Sequence, residues 1–233
     1  MKKARFLFAL AAAAATLALP AASSVAQRGR APATRDWTAV AARTPEGGVR
    51  IGNPNARVKL VEYLSLTCPH CAEFAHESST PLYSRYVRGG EVSVEYRNYT
   101  LNGLDVAASM LARCAAPRAY FNLTHDLLAS QGQWIGRMQS LTQAQRTELE
   151  GLQGMAQARR LLTMLGLDAV AARHGVTARM RQSCITQASL NGLNALKAGG
   201  ERLGVTGTPT FFLNGRMLDT NSWAGIEPLL RSR

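Results

Sequence analysis

The chain has 233 residues, 46% of them hydrophobic, and a formal charge of +12. That length can bury one sizeable core, or one domain carrying a large insertion, and argues against two independent domains. The positive charge is spread out: its densest spots, Arg159-Arg160 and Arg173 to Arg181, carry no interleaved aromatic residues and no nucleic-acid motif, so they read as solvated helix faces and exclude a nucleic-acid partner.

Lys2, Lys3 and Arg5 precede an apolar run from Phe6 to Leu19 and small residues through Ala26, which reads as a secretory signal peptide over residues 1–26. The run is about 14 residues, short of the roughly 20 that a spanning helix needs. Residues 27–55 are rich in Arg, Ala, Pro and Gly without a sustained period. They read as a flexible leader ending in the turn-like Gly52-Asn53-Pro54-Asn55. The folded domain is expected from Ala56.

Val58 to Leu66 reads as a central strand covered on both sides, with Val58, Leu60, Leu64 and Leu66 on one face and Val61 and Tyr63 on the other. Glu62 interrupts the first of these faces. Thr67-Cys68-Pro69-His70-Cys71 follows at once, and Pro69 suits a first helical turn, so the cysteine pair opens a helix. That helix runs to about Tyr86 by the spacing of Cys71, Phe74 and Ala75, with Pro81 kinking or dividing it. A second strand spans Glu91 to Tyr99.

Residues 104–203 read as an all-helical insertion, with helices over Asp105–Cys114, Arg118–Ala129, Thr142–Leu165, Asp168–His174 and Thr177–Leu203, the last with breaks. Thr210 to Leu213 and Arg216 to Leu218 flank Asn214-Gly215, a strong signal for a two-residue hairpin, and Ser222 to Arg231 closes the chain as a helix. Strand, helix, strand, helical block, hairpin, helix describes an α/β fold: a thioredoxin-like mixed sheet with helices on both faces, over residues 56–103 and 204–233, carrying the insertion.

Cys68 and Cys71 carry the expected chemistry. At a helix N-terminus, unsatisfied backbone N–H groups and the positive end of the helix dipole stabilise a thiolate on Cys68, and a charged His70 would add to that field. Cys71 falls one turn later on the same face, where it can attack a mixed disulfide on Cys68 and release the partner. A static disulfide or half of a zinc site are the alternatives. Zinc fits poorly, since Cys114 and Cys184 lie far apart with no close ligand-spaced His or Cys, and no metal or cofactor is expected. Four cysteines in an exported chain make an even count, so Cys114 and Cys184 are expected to form a structural disulfide, two buried free thiols being the alternative. A buried Glu62 carboxyl would have its pKa raised and could exchange a proton with Cys71, unless it reaches solvent at the strand end. His76, His125 and His174 show no partners in the sequence, and Met110, Met138, Met155, Met164 and Met180 read as core or groove lining.

Gly52 through Phe74, with Val61-Glu62-Tyr63 leading into the Cys motif, together with Gly207-Thr208-Pro209-Thr210-Phe211-Phe212, resembles the DsbA-like thioredoxin family from about Thr44 to the end of the chain. The chain is separately expected to be a monomer; the resemblance implies a periplasmic protein that donates its disulfide to exported proteins with free thiols and is reoxidised by a membrane partner. It implies a cis Thr208-Pro209 bond beside the cysteines, with Thr208 and Pro209 holding an extended substrate backbone, and an acidic residue at Glu62. An oxidase is the favoured activity. An isomerase or reductase, and a non-catalytic binding module with a static disulfide, are the rival readings.

Overall fold

The computed structural model describes residues 35–231. The expected signal peptide over 1–26 and the leader as far as residue 34 lie outside the described residues.

A six-stranded mixed sheet in the order β1-β2-β4-β3-β5-β6 organises the chain. Its centre is β3 (Val58–Leu64), parallel to β4 (Val92–Asn98) on one side and antiparallel to β5 (Thr210–Leu213) on the other. β6 (Arg216–Met217) closes the hairpin with β5, and Asn214 (φ 50°) and Gly215 (φ 82°) take the two left-handed positions of its turn.

The segment read as a flexible leader up to residue 55 is a correction. A short 3-10 turn at Trp37–Ala39 leads into β1 (Ala41–Arg43) and β2 (Val49–Gly52), and β2 extends the sheet antiparallel to β4. Burial drives this pairing: Val49 is fully buried and Ile51 nearly so, while Gly52 lies so close to β4 that a Cβ would stand 3.0 Å from the Val92 carbonyl. Apolar positions this few, in strands of three and four residues, give no periodic signal.

α1 (Pro69–Pro81) crosses the sheet from the end of β3. Pro81 has no N–H to donate, so the α-helical pattern stops there and the chain continues as a π turn over Leu82–Val87. Phe74 of α1 meets Phe211 of β5 with ring centroids 4.4 Å apart, and the closing helix α10 (Trp223–Arg231) adds Trp223 to the same face. On the opposite face Tyr63, Tyr99, Val205 and Phe212 form a smaller apolar cluster.

Between β4 and β5 lie α2 (Gly103–Arg113), α3 (Pro117–Ala129), α4 (Gln131–Gln139), α5 (Gln143–Glu150), α6 (Gly154–Met164), α7 (Leu167–Arg173), α8 (Ala178–Cys184) and α9 (Gln187–Arg202). α2, buried along Ala107 to Ala112, is the insertion's central helix. The single helix expected over Thr142–Leu165 is two, because Gly151 ends the first and Gly154, at φ +56°, turns the chain into the second. The long helix expected from Thr177 breaks at Ile185, and α4 had no counterpart in the sequence reading. Cys114 and Cys184 form a disulfide that ties the end of α2 to the end of α8.

The arginines expected on solvated faces are partly engaged inside the insertion. Arg159 donates to the Ile185 carbonyl (2.7 Å) and Arg181 pairs with Asp168 (3.1 Å), because α6, α7 and α8 turn these faces toward one another, and Arg160 of α6 pairs with Glu148 of α5 (2.6 Å). Met110, Met138 and Met155 line an apolar cavity of about 390 Å³ between α2 and α6.

Candidate active site

At the C-terminal end of the central strand β3, the loop Ser65 to Thr67 turns the chain, and Cys68 becomes the N-cap of α1 with Pro69 in the first turn. Cys68 adopts an extended conformation (φ −85°, ψ 120°), which leaves the first N–H groups of the helix free. The structure thus brings together Cys68, Cys71, Glu62, Thr208 and Pro209. Cys68 and Cys71 are free thiols, and both are buried.

The two thiols have opposite surroundings. Cys68 is held down to a pKa of about 5, first by a hydrogen bond from the Cys71 thiol, which outweighs burial, and then by Thr208 and the backbone N–H groups of Cys71 and His70. As a thiol, Cys68 Sγ donates to the Thr208 carbonyl at 3.2 Å. The Thr208 hydroxyl has no other partner among the described residues, which leaves it free to donate to the thiolate. Cys71 is fully buried, and burial pushes its thiol well above its ordinary range, with the Cys68 partner and the Glu62 and Cys68 charges adding to the effect. So one sulfur is a stable thiolate near neutrality, and the other must take up a proton when it is released.

Glu62 lies on β3 facing α1, in register with Tyr96 on β4 and Phe211 on β5. It is 2% exposed, which answers the question of whether it reaches solvent at the strand end. Burial, helped by the charge on Cys68, pushes its carboxyl up to about 8. A carboxyl protonated near neutrality beside a cysteine that needs a proton has the properties of a donor to Cys71.

The Thr208–Pro209 bond is cis. The Thr208 carbonyl lies against Cys68, ahead of β5. The ring of His70 is placed differently from expectation: it is exposed, and its Nδ1 lies 3.4 Å from Glu73. Its backbone N–H is among the groups that lower the Cys68 pKa.

Sequence reasoning missed the groups that hold the loop. Asn102 Nδ2 donates to Thr67 Oγ1 (3.0 Å), and Asp105 Oδ1 accepts from the Leu66 N–H (3.0 Å). Gln131 reaches the same loop from α4. Asn102 and Asp105, spaced three apart at the start of α2, carry a capping signal that sequence could have shown; an isolated Gln131 carries none. Two histidines also have partners after all. Nε2 of His125 lies 2.9 Å from the Tyr96 hydroxyl, with Tyr83 donating to Tyr96 in turn, and His174 pairs with Asp126 at 2.8 Å. All of these contacts join segments far apart in sequence.

Comparison with known proteins places these features in context. A family model described as thioredoxin matches residues 44–231. The crystal structure of a protein-disulfide isomerase from Novosphingobium aromaticivorans is 30% identical, covers 78% of this chain and 94% of its own, and superposes with a TM-score of 0.69. Wolbachia pipientis alpha-DsbA1 shares the fold at 20% identity and a TM-score of 0.61, over 80% of this chain and 90% of its own. A Rickettsia bellii protein provisionally named protein-disulfide oxidoreductase is 28% identical over 188 residues, which is 78% of this chain and 62% of that protein's length.

Proposed function

Since the chain belongs to the thioredoxin family, in the DsbA-like form that carries a helical insertion, we propose that it is an exported protein thiol-disulfide oxidoreductase that works as a disulfide oxidase. The observation that carries this reading is the asymmetry of the cysteine pair: Cys68 held near 5 and Cys71 pushed well up. Stabilising the Cys68 thiolate stabilises the reduced form, and that makes the disulfide a stronger oxidant.

In the oxidised state a substrate thiolate attacks Cys68 Sγ. The Cys68–Cys71 bond breaks, a substrate–Cys68 bond forms, and Cys71 leaves as a thiolate. Glu62, still protonated at neutral pH, supplies the proton that Cys71 takes up. A second substrate thiolate then attacks the substrate's own sulfur in the mixed disulfide, Cys68 departs as a stabilised thiolate, and the substrate leaves with a new disulfide. Two electrons have passed to the cysteine pair. Attack by Cys71 on the mixed disulfide is the reverse step and frees a substrate that lacks a second thiol. Thr208 and Pro209 hold the extended substrate segment beside Cys68.

The substrates are exported proteins with free thiols, in the periplasm, and a membrane protein reoxidises the pair. The Cys114–Cys184 disulfide fits an oxidising compartment. The name of the Novosphingobium relative raises isomerisation as a second activity. Two assays on one preparation separate them: oxidation of a reduced, unfolded multi-cysteine protein, and reactivation of the same protein with scrambled disulfides. Fast oxidation with poor reactivation supports the oxidase; the reverse pattern replaces it with an isomerase.

A further inference from the structure

Gln131 opens α4, on the helical insertion, and its side chain is buried against the loop that precedes the active-site helix. Its single amide group serves two carbonyls there: Nε2 donates to Leu66 O at 2.8 Å and to Cys68 O at 2.9 Å. The platform beneath it is firm. Trp134, one turn on, is 2% exposed, and its Nε1 donates to the Leu127 carbonyl at 2.8 Å.

These bonds meet others at the same residues. The N–H of Leu66 is taken by Asp105, so both sides of this residue's backbone are fixed by side chains of the insertion. The Cys68 carbonyl is shared between Gln131 and the Ala72 N–H, which makes the first backbone bond of α1. Cys68 is the N-cap of α1, and the Gln131 amide is bound to its carbonyl. A primary amide has two N–H donors, so one glutamine can satisfy both carbonyls, and a side chain without donors would leave both short of a partner.

We propose that Gln131 is a positioning residue for disulfide exchange: by holding the Leu66 and Cys68 carbonyls on one buried amide, it sets the oxidising power of the Cys68–Cys71 pair from the helical insertion. This rests on the redox role assigned to the pair above. Gln131 touches neither sulfur. It acts through the backbone of Cys68, keeping the helix N-terminus aligned with the thiolate and placing the positive end of its own amide dipole beside that residue.

The test uses the full mature chain with Gln131→Met, close in size but lacking donors, and Gln131→Glu, which can donate one bond when protonated and none when ionised. Each is equilibrated with reduced and oxidised glutathione, and Cys68 alkylation is followed across pH. In Q131M both hydrogen bonds are lost, and the equilibrium constant moves about fivefold in favour of the oxidised protein, the change expected if the thiolate feels the worth of the one to the Cys68 carbonyl, and the alkylation midpoint rises. In Q131E the displacement from wild type grows as pH rises and the carboxyl ionises. If Q131M and Q131E keep the wild-type equilibrium constant and alkylation midpoint, and differ only in resistance to urea, Gln131 is a structural prop and the proposal is overturned. Should Q131M fail to fold, the pH trend in Q131E decides alone, and a flat trend overturns the proposal equally. The wild-type value in the same titration judges the oxidase reading separately.

Discussion

Glu62→Gln keeps the side chain's size and removes its charge, so it isolates what ionising a carboxyl beneath the active-site helix costs. The folded carboxyl titrates at about 8 rather than 4.5. Between those values the folded protein retains a proton that the unfolded chain has released, so stability falls as pH rises through this window. With Cys68 as a thiolate the full shift corresponds to about 5 kcal/mol above pH 8 and about 3 kcal/mol at pH 7, and the disulfide form, which lacks the Cys68 charge, keeps the larger part, set by burial. Below pH 4.5 both states are protonated and the term vanishes. E62Q does not lose this stability, so its advantage over the wild type grows with pH, apart from a constant offset for burying an amide. The assay is urea unfolding of both proteins in the disulfide form near pH 4, 7 and 9, where no active-site thiol titrates. Burial, the larger cause of the shift, persists with the disulfide closed. A stability difference between E62Q and wild type that stays constant from about pH 4 to 9 would refute the reasoning, since it would mean that Glu62 ionises in the fold as readily as outside it.

Alkylation of the reduced protein with iodoacetamide across pH should show Cys68 reacting with a midpoint near 5, and Cys71→Ala should raise that midpoint by removing the thiol that donates to it; an unmoved midpoint contradicts the assigned donor. Removing the Cys114–Cys184 bond with paired alanines opens a loop with a sequence separation of 70. It should cost about 4 kcal/mol in urea unfolding and leave the active-site potential unchanged. Gly200→Ala would put a Cβ 2.8 Å from the Tyr63 ring, and the overpacking should lower stability by about 1–3 kcal/mol without touching exchange chemistry. His125 is held down to about 4 by burial, so it supplies stability that is present above pH 6.5 and lost as pH falls toward 4; in His125→Gln this part of the acid sensitivity should be absent from a pH series of melts.

What sequence could and could not show divides along the distance over which each feature is determined. The Cys68-Pro69-His70-Cys71 motif at a strand-to-helix junction, the Asn214-Gly215 turn and the alternation of β3 are set by neighbours in the chain, and each was legible. β1 and β2 were not, because β2 is held by pairing with β4, some forty residues later, and β1 by pairing with β2, and their three- and four-residue strands offer no period to read. Gly151 and Gly154 split a continuous helical pattern that the apolar spacing alone would join. At the site, Glu62 was visible as a charge on an apolar strand face, whereas the part played by the His70 backbone N–H depends on the local helix geometry and leaves no mark on the side-chain pattern. Gln131 and His125 act through bonds to residues 63 and 29 positions away, and nothing in their local sequence marks them.

The central claim is that the Cys68–Cys71 disulfide is a strong oxidant because its reduced form is stabilised at Cys68. Its equilibrium reduction potential against glutathione, measured on the mature chain with Cys114 and Cys184 monitored separately by mass spectrometry of alkylated peptides, tests this most directly. A disulfide that is a strong oxidant has a potential well above that of thioredoxin, about −270 mV. A value at or below it would mean that the reduced form is not stabilised at Cys68, and would leave a reductase or a static bond in place of the oxidase.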